Sequence, residues 1–362
     1  MQTQPPKRVL IFCLSGLGDT VMTSPAIAAL ANRPTEFRLT LLTMFPSVAA
    51  YLQEQGFTDD VRFLDFINAS KPAVFRQLWR LRRERFDVGI MSYPHNRLEY
   101  NGVNFVVGAR QRIGFRYQKQ RQVNLAGLNH VVLDEEPRLH VVQENLRWAA
   151  FLAGDEAAAL PDDLVFRHSP ASVQAADEFL RNHGLTNTEL LIGLHPSCNP
   201  LKNQQNRCWP PQHFVSLIER LANQFPTARF LLFEGPQDAQ LAQHVRTNAQ
   251  AVVAARLLPV GVVGALIRRC RLFVSNCSGL IHIAAACKVP TVGIYGPTNP
   301  TWDKPWKTES IIVTRGLPCS PCFYYSSRPL DCVAKLDYSC VRELPVADVE
   351  RAALQLLKPG DS

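Results

Sequence analysis

Short, uninterrupted apolar runs alternate with helix-length segments along this chain, and the alternation occurs twice. Arg8–Leu14, Arg38–Thr43, Val61–Asp65 and Phe86–Met91 read as strands. Between them Thr20–Ala31, Ser47–Gln55 and Ala73–Arg85 read as helices, with Pro25 expected near the first turn of the first and Gly56 closing the second. A run that is apolar at every position, without alternation, suits a strand covered on both faces, which is the parallel-sheet case. Strands separated by helices are βαβ units, so the chain is expected to be α/β. After a stretch richer in Ala, Asp and Pro (153–190), holding a helix over Ala171–His183, the pattern resumes. Strands are expected at Leu190–Leu194, Arg229–Phe233, Leu272–Ser275 and Thr291–Tyr295, and helices at Pro211–Asn223 and Leu280–Cys287. At 362 residues, two doubly wound domains are expected, joined near 155–185: 1–165 and 166–345, with a closing helix in 346–362. Ligands of such sheets bind beyond the carboxyl ends of the strands, here in a central cleft between the two domains.

Three strand-to-helix loops carry chemistry. The first is Ser15-Gly16-Leu17-Gly18-Asp19. Its Gly-x-Gly lacks the third glycine of a dinucleotide fingerprint, because position 21 is Val, and this disfavours a dehydrogenase. Asp19 can cap a helix, or take a proton from a substrate hydroxyl. The second loop runs from His195 to Pro210 and holds Ser197, Lys202 and Arg207. Its cations and backbone amides suit a phosphate or diphosphate. The third is Ser275-Asn276-Cys277-Ser278-Gly279-Leu280-Ile281-His282. Ser278 and Gly279 would present a hydroxyl and amides at a helix start, and His282 lies about one turn along. A carboxylate in one half and a diphosphate site in the other suit group transfer from a nucleotide-activated donor.

Charge is uneven. The net charge is +8; residues 1–150 hold 19 basic and 13 acidic side chains, and residues 76–121 hold 11 basic against Glu84, Asp87 and Glu99. An acidic partner for the first half, or simply a solvated helix face, accounts for this. No apolar run approaches the roughly 20 residues that span a bilayer. Val9–Leu14 is too short for a signal-peptide core, so a cytoplasmic protein is expected. Cys319, Cys322, Cys332 and Cys340 form C-x2-C-x9-C-x7-C, a set that can hold structural zinc or iron, remain as packed thiols, or form disulfides.

In this order and spacing the segments resemble glycosyltransferase family 9, the bacterial ADP-heptose:lipopolysaccharide heptosyltransferases. The matching segments are Gly18-Asp19 through Pro25-Ala26, Gly108 to Phe115, His140 with Glu144-Asn145-Leu146, His195-Pro196 through Trp209-Pro210, and Ser278-Gly279-x-x-His282 with Gly296-Pro297-Thr298. The resemblance implies a GT-B architecture of two Rossmann-like domains, an inverting mechanism and no cofactor for catalysis. It implies that the acceptor meets the first domain and the nucleotide sugar the second, with Asp19 as general base. The substrate-binding set it implies is Gly18, Ser197, Lys202, Arg207, Cys277, Ser278, Gly279, Leu280 and His282. Arg207 falls where the family has a lysine, Ser197 where it has glycine, and Cys277 where it has an aspartate that touches the donor sugar. The expected partners are therefore ADP-heptose or a related sugar nucleotide, and an acidic glycolipid at the inner membrane surface, with the protein cytoplasmic or peripheral at that surface. No nucleic acid is expected. A sugar-nucleotide epimerase or hydrolase of the same architecture, and a non-catalytic nucleotide-sugar-binding protein, are the alternatives.

Overall fold

The computed structural model describes residues 5–119, 124–185, 190–199, 201–236 and 239–357. The chain forms two compact units, residues 1–165 with 325–327, and residues 166–324 with 328–362. Each unit is built on one six-stranded sheet, parallel throughout.

In unit 1 the strands are β1 (Lys7–Cys13), β2 (Phe37–Thr43), β3 (Val61–Phe63), β4 (Val88–Met91), β5 (Gln111–Arg116) and β6 (Val131–Asp134), in the order β3-β2-β1-β4-β5-β6. β1 is central, and Val9 to Phe12 are fully buried. Successive side chains of a strand face opposite ways. Leu10, Phe12 and Leu14 point into one cluster with Leu78 and Leu81 of α3 (Lys71–Arg83) and Val107 of α4 (Leu98–Val107). α1 (Leu17–Ala31) packs with α5 (Val141–Ala153).

The helix start expected at Thr20 lies three residues earlier, so Pro25 is inside α1 rather than near its first turn. Proline cannot donate to the carbonyl four residues back. The Ser24 hydroxyl takes that place, donating to Val21 O at 2.7 Å, and the helix continues.

Unit 2 repeats the plan. Its strands are β7 (Leu191–His195), β8 (Arg229–Glu234), β9 (Val252–Arg256), β10 (Leu272–Asn276), β11 (Thr291–Ile294) and β12 (Ser310–Val313), in the order β12-β11-β10-β7-β8-β9. Ile192, Leu194, Val274 and Ile294 share a core with Phe214 and Leu217 of α7 (Pro211–Gln224) and with Val349 and Ala353 of the last helix, Val346–Leu356. In each sheet the chain starts centrally, winds outward on one side, then returns to build the other. The reversal falls between β1 and β4, and between β7 and β10. Those two gaps are the switch points at which a doubly wound sheet offers its ligand crevice. Among the described residues no helix is long and apolar enough to cross a membrane.

Candidate active site

The loop after β1 and the loop after β4 meet at the first switch point. Gly16 is the N-cap of α1, with extended backbone, and Asp19 lies in the first turn, half-buried. The helix dipole favours a carboxylate there. The β4 loop, Ser92 to Asn96, contributes a buried histidine that sequence reasoning did not single out. The Leu14 N–H donates to His95 Nε2 at 2.9 Å, so Nε2 is the acceptor and Nδ1 carries the proton toward Ser92 O. Ser15 Oγ donates to Pro94 O at 2.9 Å, tying the two loops together. The His95 and Tyr100 rings meet edge-on at 5.2 Å. Asn145 of α5 fixes the β4 loop by a two-point contact: its Nδ2 donates to Tyr93 O at 2.8 Å and its Oδ1 accepts from Tyr93 N at 2.9 Å. The His140…Asn145 segment therefore acts through backbone positioning. His140 caps α5, accepting from Val142 N.

Burial pulls the His95 imidazole from 6.5 down to about 4, so it is neutral near pH 7. Between those values the unfolded chain takes a proton that the folded one refuses. Stability conferred by the neutral imidazole is therefore complete above pH 6.5 and falls as pH drops toward 4, by about 3 kcal/mol over that span. Replacing His95 by Gln should flatten this part of the acid limb in equilibrium unfolding followed against pH. An unaltered limb would show that His95 does not set it. The difference between the two proteins isolates His95 from Asp303, whose carboxyl is pushed up to about 6 by burial and shifts stability in the opposite sense.

The second switch point brings the loop after β7 against the loop after β10. Asn276 clamps them: its Nδ2 donates to Pro196 O at 2.7 Å, and its Oδ1 accepts from Trp209 N at 2.9 Å. Trp209 is fully buried, and its Nε1 donates to Leu344 O at 2.9 Å, so the same residue also holds the chain entering the last helix. Ser278 is the N-cap of α10 (Gly279–Ala286) but makes no side-chain cap. Its hydroxyl instead lies 2.8 Å from His195 Nδ1 and 3.1 Å from Ser275 Oγ. The first amides of α10 thus have no side-chain acceptor from their own cap, which suits an anion. Gly279 and Leu280 are half-buried at this helix start, and His282 is buried on the same helix.

Arg207, half-buried, comes to 4.0 Å from Cys277 Sγ. Cys277 in turn donates to Asp303 Oδ2 at 3.3 Å, so a carboxylate does stand at this place, supplied from the segment after β11. Burial would raise the neighbouring Cys198 thiol; the hydrogen bond with Cys208 and the Arg207 charge outweigh it and bring it to about 7. Ser197 is buried beside them. Lys202 and Asn203 adopt left-handed backbone, and Lys202 O accepts from Leu330 N at 2.8 Å, which pins this loop to the segment before the last helices.

Cys319, Cys322, Cys332 and Cys340 line one small cavity together with Tyr338 and Leu317. All four are free thiols in this structure. Burial, and then the three neighbouring thiols, push Cys340 up to about 11. Four sulfur donors suit zinc or iron. Yet among the described residues no three His, Cys, Asp or Glu side chains close into a ligand group.

Two Rossmann-like sheets, each with its chemistry-bearing loops at the switch point, define a two-domain α/β protein of the GT-B class. Its backbone superposes on that of a family 9 glycosyltransferase from Veillonella parvula with TM-score 0.77, at 19% identity, covering 98% of both chains. It matches the Escherichia coli ADP-heptose lipopolysaccharide heptosyltransferase II with TM-score 0.71, at 18% identity, covering 96% of this chain and 98% of that one. In sequence it is 23% identical to the lipooligosaccharide heptosyltransferase 2 of Campylobacter jejuni over 355 residues, 97% of this chain and 98% of its relative. Residues 74–332 match glycosyltransferase family 9 (heptosyltransferase). The chain belongs to that family and is a glycosyltransferase.

Proposed function

We propose that the protein transfers a heptose, or a closely related sugar, from an ADP-activated donor to a hydroxyl of an acidic lipopolysaccharide-core acceptor, with inversion. The observation that carries this reading is the placement of Asp19 at one switch point and of Ser278, Gly279 and Arg207 at the other. Relatives named for heptosyl transfer to lipopolysaccharide and lipooligosaccharide support the sugar and the acceptor. The Asp19 carboxylate takes the proton of the acceptor hydroxyl as its oxygen bonds to the anomeric carbon. The bond from that carbon to the diphosphate breaks on the opposite face, and the electron pair leaves with the diphosphate. The α10 amides and the Arg207 guanidinium receive the growing negative charge, with Gly18, Ser197, Lys202, Cys277, Leu280 and His282 shaping the two substrate sites. Asp303, beside Cys277, supplies the carboxylate for the donor sugar. The enzyme would work on the cytoplasmic side, where sugar nucleotides are made.

A thermal-shift screen of ADP-, GDP-, UDP- and dTDP-sugars tests the donor. ADP-heptose at a hundredfold excess over its dissociation constant should add about 2.7 kcal/mol of stability. No shift with any sugar nucleotide or nucleoside diphosphate would remove the diphosphate site.

The four thiols line one cavity but do not close into a ligand group as placed, so a zinc or iron ion there would have to draw them together, acting as a structural staple without a part in transfer. Elemental analysis of protein purified without chelator should then give about one ion per chain, and the Cys319→Ser/Cys322→Ser pair should lose both the ion and several degrees of melting temperature. A metal-free, fully folded wild type would reduce the quartet to packed thiols.

A further inference from the structure

α3 carries Lys71, Arg76, Arg80, Arg82 and Arg83 and no acidic residue. It turns Leu78 and Leu81 into the core. Its outer side is not simply polar. Phe75 and Trp79, one turn apart, are 55% and 46% exposed, with ring centroids 6.1 Å apart. Across from them Phe105 of α4 is 49% exposed. The Arg82 guanidinium lies over Trp79 at 5.7 Å, and that of Arg112 over Phe105 at 5.3 Å. These residues line one open groove between the two helices.

Single exposed apolar side chains are ordinary, but a contiguous aromatic patch ringed by cations marks an interaction surface. The acidic groups nearest in sequence are already engaged. Glu84 pairs with Arg8 and Arg62, and Asp87 with Arg110. Arg76, Arg80 and Arg83 have no acidic partner among the described residues. The face therefore offers uncompensated positive charge beside large amphipathic rings. That combination suits the headgroup layer of an anionic bilayer, where the arginines meet phosphates and the rings enter the acyl boundary. A second copy of the chain fits poorly. A two-fold contact would set this face against itself, bringing like charges together.

We infer that the Phe75–Trp79–Phe105 face of unit 1 docks on anionic phospholipid bilayers. This deepens the reading of a lipid-linked acceptor, since docking would bring unit 1 to the leaflet that holds it. Its test uses vesicles free of acceptor and nucleotide sugar, so its failure and the failure of the transfer reading are separable. The full-length protein is sedimented with vesicles of phosphatidylglycerol and phosphatidylethanolamine, and with phosphatidylcholine alone. Wild type should pellet with the first and stay in solution with the second, and 0.5 M NaCl should release most of it. Phe75→Ser/Trp79→Ser and Arg76→Glu/Arg80→Glu should each lower partitioning at least roughly tenfold. Both pairs are exposed, so melting temperatures should stay at the wild-type value; a variant that fails this check is replaced by the single Trp79→Ser or Arg80→Glu. Three results would overturn the inference: wild type remaining in solution with anionic vesicles, both variants partitioning like wild type, or a wild-type dimer that the aromatic variant turns into a monomer.

Discussion

Asp19→Ala should fold normally, bind sugar nucleotide as wild type does, and lose transfer by about 10²–10⁴-fold. That range is the usual contribution of a positioned general base. A purely structural role would have a different signature. A carboxylate in the first turn of α1 contributes about 0.3–1 kcal/mol through the helix dipole, enough to lower the melting temperature slightly but not to remove activity. Asp19→Asn separates the two further, because it keeps the size of the side chain and removes its basicity. Under the base reading kcat falls for both variants, while the dissociation constant for the sugar nucleotide holds, since Ser278, Gly279 and Arg207 belong to unit 2. Turnover with isolated enzyme and saturating donor decides the matter. Wild-type turnover in either variant would take Asp19 out of the mechanism.

The central strands were legible because they are buried on both faces and so must be apolar throughout. β1, β7 and β10 read directly as such runs. β5, with the sequence QRIGFR, and the edge strands β6 and β9 escape that rule. β5 buries only Ile113, Gly114 and Phe115 between polar ends, and β6 (VVLD) and β9 (VVAAR) are short, half-exposed runs that end in a charge. Helix α4 was missed for a related reason: Asn101 and Asn104 are buried polar residues that bond to Asn124, Asn129 and Gly89, partners found only once the sheet has formed. The loops at the switch points were legible because strand, turn and helix start follow one another within a few residues. What the sequence hides is who crosses between neighbouring strands. His95 reaches Leu14 because β4 pairs with β1, 81 residues away. Asp303 reaches Cys277 from the segment after β11, the neighbour of β10. Read one motif at a time, Cys277 is a missing carboxylate; in the folded sheet another residue stands beside it.

Trp209 is where stability and donor binding are expected to fail together. Its side chain is wholly buried, and edge-on contacts with His213 and Phe214 at 5.2 and 5.0 Å set it into the α7 layer. Truncation to Ala removes that volume and should cost about 3–5 kcal/mol, a large share of the 5–15 kcal/mol that a domain has in total. Such a loss alone would say only that a core residue matters. Trp209→Phe is the sharper test. It keeps most of the packing and the backbone N–H that Asn276 Oδ1 accepts, but deletes the Nε1 donor and leaves Leu344 O buried without its partner, at about 1–3 kcal/mol. The β7 loop is held to β10 through Asn276 on one side and to the chain before the last helix through this bond on the other. Loosening the second hold should raise KM for the sugar nucleotide several-fold while kcat changes little, because Asp19 and its surroundings lie in the other unit. Asn276→Ala, which removes the first hold, should raise KM in the same direction. If Trp209→Phe leaves both the melting temperature and KM unchanged, the tryptophan fills space and does not tie the donor loop.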